Sequence, residues 1–242
     1  MTGSAIPSKE TRASKEIAAG KLEPMAVGRY PHRDGEMHLL PYSFAEFERS
    51  VQSYQFRLGT FHFRSGDQIL ICSLFDESAQ FAPLERSLRD FGLVQLNSDS
   101  SFFDAGRTES HMRRFDVAAV CGVNAAMLDG LAAMGHDQNK VFANRVVWAR
   151  PDALERLKSV PGINLRLWLE VGPAVAMQCA HGEGAHINRL EWHVETIGGE
   201  IVLSSRLDRS LDFDRYRTGV RAQLVTSACR CGSADPRVVL NA

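Results

Sequence analysis

The chain has 242 residues, 44% hydrophobic and 24% charged, which suits a soluble globular protein with room for one substantial core. A formal net charge of −1 gives no footprint for nucleic acid or an acidic membrane surface, and no apolar run reaches the ~20 residues that span a bilayer. Five cysteines, with no apolar leader at the N-terminus, point to reduced thiols in a cytoplasm and to metal ligation rather than disulfides.

Residues 1–24, rich in Ser, Ala, Lys and Glu near their start, read as a disordered or weakly helical lead-in. Residues 44–56 place apolar side chains at helical spacing behind Ser43, a suitable N-cap. The turn at Ser65-Gly66-Asp67 precedes an apolar run over 68–75 that suits a buried strand. Residues 82–91 then read as an amphipathic helix stopped by Gly92, and 93–96 as a strand. The alternation continues with helices over 108–114, 124–134 and 151–159 and strands over 117–121, 141–148 and 165–169. Such a pattern predicts an α/β fold with a largely parallel sheet and flanking helices, occupying residues 25–172. Beyond Gly172 the period changes to two. Residues 189–195 and 200–205 alternate about a Gly198-Gly199 hairpin turn, and 222–226 forms a further strand. Residues 173–242 are therefore expected to make a β-rich antiparallel lobe.

That second part holds most of the metal-ligating chemistry. Cys229 and Cys231 form a Cys-x-Cys turn, and Cys179 and His186 lie upstream with His181 and His193 nearby. Three thiolates and one imidazole suit a closed tetrahedral zinc site, which would staple a lobe with a small core. The spacing alone is also served by a buried Cys179 thiol and a His186 at the start of a strand. His181 is the substitute ligand if His186 is not used.

Candidates for catalysis are sparser. His32, Asp34 and His38 cluster in one loop region and could carry general acid–base chemistry, and Asp104, Arg107, Glu109 and His111 cluster in another. Cys121 stands at a strand end, where α/β sites form, so it is a candidate nucleophile as well as a candidate core thiol. Trp148, Trp168 and Trp192 read as core or lobe-interface aromatics.

The run Asp214-Arg215-Tyr216-Arg217-Thr218-Gly219-Val220, followed by Cys229-Arg230-Cys231-Gly232 and Pro236-Arg237, resembles a signature of phenylacetate–CoA ligase-like proteins, a branch of the adenylate-forming enzymes. The resemblance extends from about Val27 to Arg237. It implies the N-terminal core of that fold without the family's C-terminal domain, and it places Cys179, His186, Cys229 and Cys231 on the positions that hold zinc in some members.

The resemblance also locates what differs. The family's ribose-binding aspartate falls on Val220, which cannot accept hydrogen bonds from a diol. Its Ser/Thr/Gly-rich phosphate loop falls on Gly28-Arg29-Tyr30-Pro31-His32-Arg33-Asp34-Gly35, where Pro31 removes a donor and Asp34 repels phosphate. Its Tyr-Gly-x-Thr-Glu motif falls on Arg166-Leu167-Trp168-Leu169-Glu170, so that Glu170 alone retains a Mg²⁺-binding position. ATP is accordingly not expected as a cofactor. The expectation is a degenerate adenylate-forming-fold protein that binds an acyl or aryl ligand, a carrier protein or a partner enzyme, the last (or a second copy) at the face where the C-terminal domain would dock. Two alternatives stand beside it: ATP-independent acyl transfer or thioester hydrolysis in the inherited pocket, and a ligase completed by a C-terminal domain from another chain.

Overall fold

The computed structural model describes residues 21–240. Most of the lead-in expected over 1–24 thus lies outside the described residues. The described chain opens with a two-stranded hairpin, β1 (Ala26–Pro31) and β2 (Met37–Tyr42). It includes residues 28–35, on which the resemblance places the phosphate loop. Helix α1 (Phe44–Leu58) follows, and Ser43 caps it in a reciprocal box: the Glu46 amide donates to Ser43 Oγ and the Glu46 carboxylate accepts from the Ser43 amide.

An alternating βα region comes next. β3 (Gln68–Cys72) runs through a 3₁₀ turn (Phe75–Glu77) into α2 (Ser78–Asp90), and β4 (Val94–Ser98) through a second 3₁₀ turn into α3 (Ala105–Arg114). β5 (Val117–Val123), α4 (Ala125–Ala133), α5 (Gln138–Phe142), β6 (Val146–Ala149), α6 (Pro151–Leu157) and β7 (Asn164–Val171) complete it. The single strand expected over 141–148 is instead a short helix and a strand. Asp137 caps that helix by accepting from the Asn139 amide, and Val141 and Phe142 supply its buried face. Helix α2 begins four residues earlier than its apolar spacing suggests, because the 3₁₀ turn runs straight into it.

These strands are parallel in the order β4-β3-β5-β6-β7. Successive side chains point to opposite faces, and both faces are covered. Ile69, Ile71, Ala119, Cys121 and Trp148 pack under α1 and α2 with Tyr54, Phe81, Leu84 and Leu88. Leu70, Cys72, Val120 and Val147 pack on the other side against Met127, Leu131, Phe142 and Leu157. All three tryptophans are buried.

β7 is the switch. It pairs parallel with β6 and antiparallel with β8 (Ala174–Gln178), across a turn at Gly172-Pro173. The sheet continues through β9 (Ala185–His186), β13 (Arg237–Leu240), β12 (Tyr216–Val225), β11 (Glu200–Ser205) and β10 (Trp192–Ile197), all antiparallel, to give eleven strands. The fold class is therefore the expected one, a parallel α/β region followed by an antiparallel β-rich region. The Tyr-Arg-Thr-Gly run lies inside β12, where Glu200 faces Arg221 and Val202 faces Arg217, leaving a bulge between them. At that bulge Gly219 adopts φ 78°, and a Cβ there would stand 3.3 Å from Arg33 Cα in the hairpin.

Candidate functional site

The four sulfur and imidazole residues singled out in the sequence come together. Cys179 follows β8, His186 is half of the two-residue strand β9, and Cys229 and Cys231 sit in the turn between β12 and β13. Their donor atoms lie within 4.8 Å of one another. Cys179 Sγ is 3.8 Å from Cys229 Sγ, and Cys231 Sγ is 3.6 Å from His186 Nε2. A tetrahedral zinc ion bonded at about 2.3 Å to sulfur and about 2.05 Å to nitrogen sets those edges at about 3.8 and 3.6 Å. The residues present fit a metal of that class. His181 is exposed and stands outside the group.

The surroundings prepare the donors. Burial, with Arg57 second, holds the His186 imidazole down to about 4, so the ring is neutral near pH 7 and has a lone pair to give. Burial pushes the Cys231 thiol up to about 12 in the absence of a cation, a penalty that a bound dication reverses. Arg237 donates to Glu183 O at 3.1 Å and Ser227 O at 3.0 Å, tying the two loops that carry the ligands. All five cysteines are free thiols.

The second group stands at the carboxyl ends of the parallel strands, where ligands bind in open α/β sheets. Arg150, just beyond β6, bonds Glu77 Oε2 at 2.7 Å and Glu170 Oε1 at 3.3 Å. Arg29 of the hairpin reaches the same Glu77 at 3.1 Å and Asp76 at 3.0 Å. Glu170 is thus one end of a five-residue charge network. Burial raises its carboxyl pKa, and Arg150 opposes that rise. Beside the network, at the ends of β3 and β4, lies a cleft of 710 Å³ lined by Leu74, Phe75, Phe81, Ser98, Phe103 and Arg107. Phe75 is 104% and Phe103 87% exposed, an unusual cost for two rings on one rim. Sequence reasoning missed Glu77 and Arg150, and placed Arg29 only in the segment aligned with the phosphate loop; the signal available for the first two was their position next to strand ends.

The remaining candidates part company. Cys121 is fully buried against the α1–α2 face, and burial pushes its thiol well above the usual range, so it reaches no solvent-filled cleft. Asp104 pairs with Arg107 at 3.1 Å while Glu109 pairs with Arg113 at 2.9 Å, and His111 packs on Phe115. His32, Asp34 and His38 do meet, at the tip of the hairpin. Val220 is half-buried and packs on the apolar cluster of the antiparallel region.

The chain matches no family model, and no curated protein matches it. Solved structures do. A crystal structure of an open conformation of 2-hydroxyisobutyryl-CoA ligase with 2-HIB-AMP and CoA superposes with TM-score 0.65 at 11% identity, covering 92% of this chain and 57% of that one. The thioesterification state of the same ligase gives 0.64 at 12% identity over 93% and 55%. The apo structure of Mycobacterium smegmatis MbtA gives 0.56 at 13% identity over 89% and 46%. The fold is that of the adenylate-forming ligases. The chain spans about half the length of these relatives, and at such identities the likeness is one of fold alone. Among the described residues no helix is long and apolar enough to cross a membrane.

Proposed function

We propose that this chain is a non-adenylating member of the adenylate-forming fold, akin to the phenylacetate–CoA ligase-like branch, that binds an acyl or aryl group in the cleft at the ends of β3 and β4. The observation that carries this reading is the fate of the segment aligned with the phosphate loop. It is a paired hairpin, and its Arg29 is spent on Glu77 and Asp76. Its backbone is also committed, since Gln80 Nε2 donates to Arg29 O at 2.6 Å and a Cβ on Gly28 would meet Ala79 at 2.8 Å. A triphosphate needs free, inward-pointing amides there. Glu170, already neutralised by Arg150, is a poor Mg²⁺ ligand. The apolar rim of Phe75 and Phe103 supports an apolar ligand, presented free or on a carrier protein.

Zinc in the Cys179–His186–Cys229–Cys231 group is part of the same reading, with a structural role, because four protein donors leave no open coordination position. Three unpaired thiols within bonding range of one metal support a reducing, cytoplasmic compartment.

Calorimetric titration with ATP–Mg²⁺ is expected to give no binding up to millimolar concentration, and a micromolar dissociation constant would overturn the non-adenylating reading. In a thermal-shift screen, aryl or acyl thioesters are expected to raise Tm, less so in Phe103→Ser. A shift that Phe103→Ser and Phe75→Ser both leave intact would remove the ligand from this cleft.

A further inference from the structure

The hairpin tip carries a second set of metal-ligating side chains, on different strands from the cysteine group. β1 and β2 pair through Tyr30↔His38 and Pro31↔Met37, and the His32 amide donates to Glu36 O at 2.8 Å. Residues two apart on a strand share a face. His32 and His38 are therefore diagonal neighbours on the face that carries Tyr30, and their rings stack at 4.1 Å with 9° between planes. Asp34 closes the turn. Its Oδ1 accepts from the Glu36 amide at 2.9 Å, which leaves Oδ2 directed at both rings, 2.8 Å from His32 Nδ1 and 3.4 Å from His38 Nε2.

We propose that His32, Asp34 and His38 form an open site for a divalent transition-metal ion. Bonds of about 2.1 Å to nitrogen and oxygen put neighbouring donors about 3.0 Å apart around an octahedral ion and about 3.4 Å around a tetrahedral one. The 3.4 Å separation to His38 falls in that range and the 2.8 Å separation to His32 lies just below it, so an ion is reached by side-chain rotation that opens the shorter contact and turns the two stacked rings toward a common point. The donor set selects the metal: two imidazoles and one carboxylate favour Zn²⁺, Ni²⁺, Cu²⁺, Co²⁺ or Fe²⁺ over Ca²⁺ and Mg²⁺, which take oxygen. Packing holds the donors in place, with Tyr30 5.9 Å from the His38 ring and Tyr216 5.7 Å from the His32 ring. The side chains are 20%, 48% and 33% exposed, so the remaining coordination positions face solvent and can take water or an anionic ligand. This is the opposite of the closed cysteine group. The site stands on the hairpin alone and holds whether or not the acyl-binding reading does.

The test is a calorimetric titration with Ni²⁺ of protein whose cysteine group is already filled with zinc. One further equivalent is expected, bound at least ten-fold more weakly by His32→Ala, Asp34→Asn and His38→Ala, with zinc content unchanged. Absence of that equivalent in the wild type overturns the proposal, as does a His32→Ala/His38→Ala protein that binds Ni²⁺ as tightly as wild type. Because a hairpin substitution can disturb packing, the unaltered protein supplies a second readout. Substoichiometric Cu²⁺ is expected to broaden the imidazole C–H resonances of His32 and His38 before those of any other histidine. Earlier broadening of another histidine rules the site out.

Discussion

Arg209 is 6% exposed and lies between two buried carboxylates, with Glu46 at 2.8 Å on one side and Glu191 on the other, over the Trp192 ring at 4.2 Å. Arg49 also bonds Glu191. Glu46 is the N3 glutamate of the α1 capping box and accepts from the Ser210 amide at 2.9 Å, so one side chain caps a helix and anchors a distant loop. Removing one partner of such a group leaves a charge buried without compensation, which costs about 3–5 kcal/mol. Arg209→Ala is expected to lose that much stability in urea unfolding, and a loss below about 1 kcal/mol, the level of an exposed pair, would show the group to be solvated. Ser43 was readable as a cap because its place before the helical spacing is a local signal. The bond from the Ser210 amide to Glu46 was not, because it joins residues far apart in sequence.

At the scale of elements, the β11–β12 pair explains the motif that first suggested the fold. Thr218 Oγ1 donates to Ile201 O at 2.8 Å, and the Gly219 amide donates to Glu200 Oε1 at 2.8 Å. Tyr216 packs on Tyr30 and Phe213. These residues thus build the bulge and its contact with the hairpin, a structural role that needs no nucleotide. The hydrogen bond from Arg217 holds the Glu200 carboxyl below its ordinary 4.5. A carboxyl lowered on folding contributes stability above its unfolded pKa and loses it as pH falls through the folded value. Glu200→Gln should therefore lose less stability than wild type between about pH 5 and pH 3. Parallel pH profiles for the two proteins would contradict this. The hairpin itself escaped sequence reasoning because Gly28, Pro31 and the charged tip hide its alternation. The helix over Gln138–Phe142 escaped because an apolar run this short has no period that separates helix from strand.

For the whole molecule, the metal group sits where the sheet is thinnest. β9 contributes only Ala185 and His186, yet it joins β8 to β13 and so connects the strand next to the β7 switch to the rest of the antiparallel region. A metal bridging the end of β8, β9 and the β12–β13 turn would hold that junction. About one zinc per chain is expected by elemental analysis. Chelation or Cys229→Ser is expected to lower Tm by roughly 5–10 °C, equivalent to ~2–3 kcal/mol for a domain of this size. A Cys229→Ser protein with full zinc and unchanged Tm would exclude this ligand set.

The alternation of apolar runs with helical spacing and the change to period two after Gly172 were enough to determine the fold class, and the chemically distinctive Cys and His residues, with the resemblance of the C-terminal signature, nominated the four candidate metal ligands. Those signals are local or carried by residue type. Tertiary structure decided the rest: that Cys121 is walled in, that Glu170 is already paired, that the segment aligned with the phosphate loop is a hairpin tied to Glu77, and that Phe75 and Phe103 flank a cleft. Each of these depends on which distant residues meet and on what is left exposed when they do, and spacing along the chain carries neither.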